Sequence, residues 1–278
     1  MSEHGAKSRS GQSVLRENPR FGFAWHVPAS GKPGRPLLVA VHGSDRNWLE
    51  SRDAFVPLAE ACDLAILAPH FPGHPTAAGG SHGYKFLAEP GIDYQAVLAA
   101  MLEAFAGRYR YDRHAVYLFG FSGGAQFALR YALLNPAGLR GAVLAAPGNV
   151  TLLDESLPWW AGVADVEARF GRPLDIEALR RLPFRLLVGG NDRAEGRVVH
   201  RPGELYHSPH ADHAGQDRQA CIAALERSLR GAGVPARLET VPGVGHDFQP
   251  LATATGRILK RMLDGSCQDT ARFGTEQK

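Results

Sequence analysis

The sequence has few cysteines and no long apolar segment. Only three of its 278 residues are cysteine, Cys62, Cys221 and Cys267, and none of their spacings is typical of a metal site. An odd number of cysteines, with no spacing that suggests disulfide pairs, is typical of proteins in a reducing compartment. The polar start, MSEHGAKSRSGQS, lacks the apolar stretch of a signal peptide, and no window approaches the length that crosses a bilayer. We therefore expect a soluble, cytoplasmic protein with no membrane partner.

A strong charge of either sign is also absent. The formal net charge of +3 is spread along the chain, and no run of consecutive basic residues is longer than a pair such as Arg180 and Arg181. Such a pair is too small for a nucleic-acid interface, so we expect no nucleic-acid partner. Hydrophobic residues at 44% and charged residues at 21% are typical of globular proteins. A chain of this length buries enough surface to fold without a metal or a disulfide.

Short apolar runs alternate with longer helical patterns through most of the chain. The runs that predict strands are 21–27, 36–43, 63–70, 114–121, 139–148, 183–192 and 236–243. Several are apolar on both faces, as parallel strands between two helix layers must be. The helical patterns lie at 50–62, 93–109, 124–136, 215–233 and 248–264. The predicted fold class is therefore α/β, with a mostly parallel central sheet and helices on both faces.

We expect this alternation to form one domain over residues 21–264. The polar, aperiodic ends predict flexible segments at 1–20 and 265–278. Two long stretches, 71–91 and 193–214, interrupt the alternation of strand and helix. Loops of that length in a compact domain are usually functional or disordered.

The segment GFSGG places Ser122 between an apolar strand pattern and a helical pattern. A sharp turn from strand to helix strains the backbone, and glycines at 120 and 124 remove the side chains that would clash there. The unpaired N–H groups of the helix that follows stabilise negative charge near the hydroxyl. A serine without a catalytic role in a glycine-rich turn is the simpler interpretation, but the strand and helix patterns on either side favour a nucleophile.

A serine nucleophile needs a base, and the base needs an acid to orient it. Asp192 follows the strand pattern LLVGG, and His246 lies in a glycine-rich loop after the last predicted strand. Both residues are thus expected at the same edge of the sheet as Ser122, in the chain order serine, acid, histidine. Asp154, after the strand pattern at 139–148, is the alternative acid.

The loop HGSDRN after the strand pattern at 36–43 is expected to complete an oxyanion hole. The N–H of Gly123 should supply one donor, because it follows the nucleophile. Ser44 is assigned as the second donor, and Gly43 and Asp45 stay open as alternatives. His42 in the same loop is more simply a structural residue.

The motifs VHGSDRN, GFSGG, GGND and GVGHDF, in this order at strand ends, resemble those of the α/β-hydrolase fold superfamily over about residues 21–264. More narrowly, the stretch APG at the end of the pattern 139–148, together with the chain length, resembles small cytoplasmic esterases and the polyhydroxybutyrate-depolymerase or feruloyl-esterase-like branch. The resemblance implies Ser122 as nucleophile, His246 as base and Asp192 as acid, with no metal and no cofactor. The sequence departs from many relatives in that residues 149–182 leave room for only a short cap.

The sequence thus predicts a serine hydrolase that cleaves an ester or related acyl bond of a small molecule through an acyl-enzyme intermediate. A thioesterase, an amidase or a peptidase would use the same triad and stays an alternative. A non-catalytic binding protein on this fold stays a third reading. A homodimer is left open.

Several further residues are candidates for contact with the substrate. Arg46 would pair with a substrate carboxylate or with a neighbouring acid. Loop aromatics would wall an apolar pocket or pack beneath long loops; they are Trp48, Tyr84, Trp159, Trp160 and Tyr206.

The stretch 193–214 contains four histidines, His200, His207, His210 and His213. Histidine is a common zinc ligand, but no acidic ligands are arranged with these four. A role in lining the substrate cleft is favoured over metal binding, because the stretch leaves directly from Asp192, and ordinary polar loop histidines stay an alternative.

Overall fold

The computed structural model describes residues 9–29, 34–74, 82–193 and 198–265. Its main sheet has eight strands in the order β1-β2-β4-β3-β7-β8-β9-β10. The strands are β1 Arg9–Val14, β2 Gly22–Val27, β3 Arg35–Val41, β4 Ala65–His70, β7 Tyr111–Phe121, β8 Leu139–Ala145, β9 Phe184–Gly189 and β10 Ala236–Val241, with a small hairpin of β5 Ala88–Glu89 and β6 Ile92–Asp93. The helices are α1 Trp48–Asp53, α2 Val56–Cys62, α3 Tyr94–Ala106, α4 Gly123–Leu134, α5 Val166–Phe170, α6 Ile176–Leu179, α7 Arg218–Gly231 and α8 Phe248–Leu263.

The sheet is mostly parallel. Strand β2 pairs antiparallel with β1 and with β4, and every pair from β4 through to β10 is parallel. Parallel strands need crossover connections, which the helices supply. The carboxyl ends of β3, β7, β8, β9 and β10 therefore meet at one edge, where an open α/β sheet binds its ligands.

Two hydrophobic cores lie on opposite faces of the sheet. In β3, Leu37, Val39 and Val41 face the core that contains α3, α4 and α7. Leu38 and Ala40 face the core that contains α2 and α8. Because successive side chains of a strand point to opposite faces, a strand covered on both sides must be apolar throughout. The predicted fold class, with helices on both faces, is confirmed.

The first helical pattern is two helices rather than one. Residues 50–62 were expected as a single helix, but α1 ends at Asp53 and α2 begins at Val56. Pro57 in the first turn of α2 has no N–H to continue the ladder of α1, and its ring opposes a helix that runs through it. A proline is tolerated in a first turn, so the helix restarts there.

Part of the segment expected to be flexible at 1–20 is a strand. Arg9–Val14 forms β1, paired antiparallel with β2 from Arg9↔Val27 to Val14↔Gly22. Its sequence, RSGQSV, has no apolar alternation because an edge strand is held by backbone hydrogen bonds and faces solvent on one side. Residues 266–278 of the predicted tail lie outside the described residues.

Candidate active site

Ser122 occupies a sharp turn between β7 and α4. Its φ of 52° and ψ of −112° are strained for a residue with a side chain, and its N–H donates to the Ala145 carbonyl at 2.8 Å. A Cβ on Gly120 would lie 2.2 Å from the carbonyl oxygen of Gly124. A Cβ on Gly124 would lie 2.3 Å from the Val41 oxygen. Only glycine permits these approaches, which press the turn against the end of β3.

Ser122 lies within hydrogen-bond distance of His246. Its Oγ is 3.0 Å from His246 Nε2, and His246 Nδ1 is 2.7 Å from Asp192 Oδ2. The donors are the serine hydroxyl and the imidazole Nδ1–H, since the carboxylate only accepts. The imidazole is 29% exposed and the carboxylate 1% exposed. The three side chains, distant in sequence, thus form a continuous chain that opens to solvent at its serine end.

The loops that carry Asp192 and His246 are tied together. The Asn191 N–H donates to the Val244 carbonyl at 2.8 Å, and the Asp192 N–H donates to the Gly189 carbonyl at 3.0 Å. A Cβ on Gly189 would lie 2.3 Å from the Val244 oxygen, so this contact also requires glycine. The Phe121 ring stacks on the His246 ring at 4.9 Å. The contacts between the two loops and the stacking of Phe121 therefore both restrict the orientation of the His246 imidazole.

Arg218, at the start of α7, is a member of the site that the sequence did not indicate. Its Nη1 donates to Asp192 Oδ1 at 3.0 Å and to the Arg193 carbonyl at 3.1 Å. Both partners of this ion pair are buried. The Asp192 carboxylate is thus held between a fixed cation and the imidazole, which accounts for a buried negative charge at this position.

The two residues assigned to the oxyanion hole are neighbours. Gly123 is the first residue of α4, where backbone N–H groups have no partner within the helix. A Cβ on Gly123 would lie 3.0 Å from Ser44 Oγ and 2.3 Å from the Tyr84 hydroxyl. Ser44 and Gly123 therefore lie side by side next to the Ser122 turn. Tyr84 lies against both and is buried, which raises the pKa of its phenol.

His42 has the structural role that was the simpler expectation. It is completely buried, and burial lowers its pKa to about 3. The neutral ring donates from Nδ1 to the Gly43 carbonyl at 2.7 Å and accepts at Nε2 from the Phe71 N–H at 3.1 Å. Both ring nitrogens are thus hydrogen-bonded. The bond to Gly43 lies within the loop after β3, and the bond from Phe71 joins the ends of β3 and β4.

Two of the residues proposed for substrate contact lie in the loop after β3. Arg46 has a left-handed φ of 62°, and its guanidinium donates to the Ser44 carbonyl and lies 5.9 Å from the centre of the Tyr84 ring. Trp48 begins α1 instead of lying in a loop, and its ring stacks on His70 at 5.0 Å. Arg46 is therefore beside the candidate oxyanion hole, and Trp48 packs against the neighbouring strand end.

Three of the remaining aromatic candidates line a separate cavity of about 540 Å³, and Tyr84 is not among its lining residues. Trp159, Trp160 and Tyr206 contribute to its wall together with Phe86. The Trp160 indole donates to the Tyr206 carbonyl at 2.9 Å, and the Tyr206 ring stacks on Phe86 at 4.2 Å. Ser122, Asp192 and His246 are not among the residues that line this cavity.

Asp154, the alternative acid, is engaged elsewhere. Its Oδ1 accepts from the Ser156 N–H at 2.9 Å and from the Ser156 hydroxyl at 2.6 Å. Its Oδ2 lies 3.4 Å from His213 Nε2. The structure thus brings Asp192, and not Asp154, to His246.

His207 and His200 of the stretch 193–214 also have protein partners. His207 Nδ1 is 3.0 Å from the His200 carbonyl, and His200 Nδ1 is 3.4 Å from Glu204 Oε2. Residues 194–197 lie outside the described residues. Among the residues that are described, no group of three or more histidine, cysteine or acidic side chains is arranged to hold a metal ion. In the same part of the chain, no helix is both long and apolar enough to cross a membrane.

Comparisons with known proteins bear on the fold and on the family. A family model described as the alpha/beta hydrolase fold matches residues 36–187. A search of curated proteins gives no match. Among solved structures, a poly(3-hydroxybutyrate) depolymerase from Bordetella parapertussis is 25% identical, with a TM-score of 0.69 over 91% of this chain and 89% of its own.

Two further solved structures share the fold. A poly(aspartic acid) hydrolase from Sphingomonas sp. KT-1 is 19% identical, with a TM-score of 0.72 over 92% of this chain and 99% of its own. An S-formylglutathione hydrolase from Agrobacterium tumefaciens is 17% identical, with a TM-score of 0.62 over 92% of this chain and 94% of its own. The whole described fold, rather than one motif, is therefore shared with these proteins.

Proposed function

Because this chain belongs to the α/β-hydrolase fold family, we propose that it is a serine hydrolase that cleaves an ester bond of a small molecule through an acyl-enzyme intermediate. The observation that carries the proposal is the chain of hydrogen bonds from Ser122 Oγ through the His246 imidazole to Asp192, at 3.0 and 2.7 Å. This geometry matches the roles of nucleophile, base and orienting acid. The similarity to the poly(3-hydroxybutyrate) depolymerase supports an ester as the bond that is cleaved.

In the proposed first half-reaction, Ser122 Oγ attacks the substrate carbonyl carbon while its proton passes to His246 Nε2. Asp192 accepts a hydrogen bond from Nδ1–H, which keeps Nε2 free of a proton before the attack and stabilises the imidazolium afterwards. Negative charge then develops on the carbonyl oxygen. The N–H groups of Gly123 and Ser44, helped by the N-terminal end of α4, would bind that oxygen.

The intermediate collapses when the leaving group departs with the proton from His246. Water then takes the place of the alcohol: His246 removes its proton, the water oxygen attacks the acyl carbon, and Ser122 Oγ leaves with that proton. The partly exposed imidazole suits this second half-reaction, because water must reach it. Neither half-reaction requires a cofactor.

A fluorophosphonate probe and a panel of para-nitrophenyl esters test the proposal. The unmodified protein should react with the probe at Ser122 and hydrolyse at least one ester. Ser122→Ala should lose the label and reduce kcat by roughly a million-fold, since a triad without its nucleophile keeps only residual catalysis. Ser156→Ala removes an exposed serine outside the site and serves as the matched control. Labelling that persists in Ser122→Ala would refute the assignment of the nucleophile.

Matched ester, thioester and anilide substrates with the same acyl group separate the proposed activity from its alternatives. An esterase should lose most of its kcat/KM on the anilide, because the amine is a far poorer leaving group. A rate on the anilide equal to that on the ester would instead identify an amidase or peptidase. No labelling and no hydrolysis by a folded protein would favour a non-catalytic binding role.

A further inference from the structure

Lys85, beside the candidate oxyanion hole, is a buried cation without an acidic partner. Its side chain is 1% exposed, and its Nζ lies 2.8 Å from His82 Nδ1. Among the described residues, no carboxylate lies within ion-pair distance of this ammonium. A buried charge is normally paired, because removing it from water is energetically unfavourable.

The position of Lys85 links it to the reacting groups. A Cβ on Gly123 would lie 2.8 Å from Lys85 Cε, so the lysine stem packs directly on the residue after the nucleophile. The Arg46 guanidinium donates to the carbonyl of Ser44, the other member of this pair. Two cationic side chains therefore lie next to the place where a substrate carbonyl would bind.

A second buried cation stands behind Lys85. Arg130 in α4 is completely buried, and its Nη1 donates to the Lys85 carbonyl at 2.6 Å. Its Nη2 has no hydrogen-bond partner within the described structure, and its guanidinium lies over the rings of Phe86 and Trp160 at 4.7 and 5.2 Å. The rings offset part of the cost of burying this charge. The rings do not offset the charge of Lys85, and the nearby charge of Arg130 disfavours the Lys85 ammonium further.

The remaining ionisable groups near Lys85 do not neutralise it. His82 and His200 lie on its outer side, and burial lowers the pKa of both rings, that of His82 to about 4. Glu204 is exposed and contacts His200. Glu89 packs against Gly83 and accepts from the Tyr94 hydroxyl at 2.7 Å. Among the described residues, no carboxylate is placed to neutralise Lys85, and Arg46 and Arg130 disfavour its charge. A bound anion would supply the compensating negative charge.

We propose that Lys85, together with Arg46, makes this site selective for esters that carry a carboxylate close to the scissile carbonyl. The inference rests on the proposed esterase function and specifies its substrate class. The Lys85 ammonium is hydrogen-bonded to His82, and solvent reaches the His82 side chain because it is only half-buried. A substrate carboxylate would replace the imidazole as the acceptor and form the stronger, charge-assisted bond.

The test compares two esters that differ only in charge. The para-nitrophenyl monoester of adipic acid is anionic, and its methyl-capped diester is neutral with the same acyl chain. The wild-type protein should prefer the anionic ester in kcat/KM, and added salt should weaken the preference. The acetate ester of 3-hydroxybenzoate and its methyl ester place the charge on the alcohol, so they show which side of the scissile bond faces Lys85.

Lys85→Met keeps the length of the side chain and removes the charge. It should lower the ratio of the two kcat/KM values by about tenfold, the scale of one charge-assisted hydrogen bond. Arg46→Gln should lower the same ratio by a smaller factor. Lys260→Met removes an exposed lysine from α8 and should leave the ratio unchanged. An equal ratio in wild type and folded Lys85→Met would overturn the inference and leave the esterase proposal intact.

The wild-type ratio also depends on pH, which tests the inference even if Lys85→Met fails to fold. Burial, Arg46 and Arg130 lower the pKa of Lys85 to about 7. The anion preference should therefore be larger below about pH 7 and decline above it, as the ammonium loses its proton. The acyl-transfer step is common to both esters, so its own pH dependence cancels in the ratio. A ratio that does not change across this range would count against Lys85, whereas hydrolysis of neither ester would count against the proposed function itself.

Discussion

Arg218 and His246 hold the two oxygens of one buried carboxylate. Arg218 Nη1 lies 3.0 Å from Asp192 Oδ1, and His246 Nδ1 lies 2.7 Å from Asp192 Oδ2. Arg218 thus orients the Asp192 carboxylate independently of the imidazole. The plane of the carboxylate in turn fixes the direction of its hydrogen bond with the imidazole. Arg218 acts on the proposed reaction through Asp192 and is a positioning residue.

Replacing Arg218 should damage both stability and turnover. Arg218→Gln leaves the Asp192 charge buried without its cation, and we expect the free energy of unfolding to fall by about 3 kcal/mol. Because Asp192 also becomes free to turn, kcat should fall more than KM rises. Urea unfolding and steady-state kinetics measure the two effects. Arg169→Gln, which breaks the exposed pair with Asp165, should change stability by less than about 1 kcal/mol.

Asp192→Asn tests the orienting carboxylate. The amide retains the shape of the side chain but lets the imidazole adopt the wrong tautomer, so kcat should fall by about four orders of magnitude. Asp154→Asn is the matched control, since Asp154 bonds Ser156 and His213. A large loss of rate in Asp154→Asn, with Asp192→Asn active, would show that the acid was assigned wrongly. Ester hydrolysis under saturating substrate measures both.

Gly124→Ala should disrupt the turn that presents Ser122. The new Cβ would lie 2.3 Å from the Val41 oxygen and 2.4 Å from the His42 oxygen, and both are backbone atoms that cannot rotate away. We expect a loss of about 3 kcal/mol in stability and of most of the activity. Gly138→Ala has open space around its Cβ and should be nearly neutral. A fully active, stable Gly124→Ala protein would contradict the close packing of α4 against β3.

The buried lysine predicts how stability depends on pH. Above about pH 7 the folded chain releases the Lys85 proton, whereas the unfolded chain keeps it until its pKa near 10.4. Unfolding then takes up a proton, so the stability of the wild type relative to Lys85→Met should rise with pH in this window. The slope reaches at most about 1.4 kcal/mol per pH unit. Urea unfolding at several pH values measures it.

Lys260→Met controls for general effects of pH on a lysine variant. Lys260 is largely exposed, so the wild type and this variant should give parallel stability curves over the same range. If the curve of Lys85→Met were also parallel to that of the wild type, the ammonium of Lys85 would not be destabilised in the folded protein.

The order of elements and the fold class were predictable from the sequence because they depend on local patterns. The strand LLVAV is apolar at every position, and burial of alternate residues in two cores explains why. The glycines around Ser122 were predictable for a similar reason, since backbone approaches below 2.5 Å admit no other residue. Strand β1 was not predictable, because an exposed edge strand has no apolar pattern.

Local sequence patterns therefore establish a parallel sheet covered on both faces, whose strand ends carry a serine, an aspartate and a histidine in turn. Which further side chains reach these three depends on the fold in three dimensions. Arg218 lies in an ordinary helical pattern and Lys85 in a short 3₁₀ turn, and neither has a fixed spacing from Ser122. Periodicity reports which face of an element is buried, whereas the pairing of one charge with another depends on how distant segments pack.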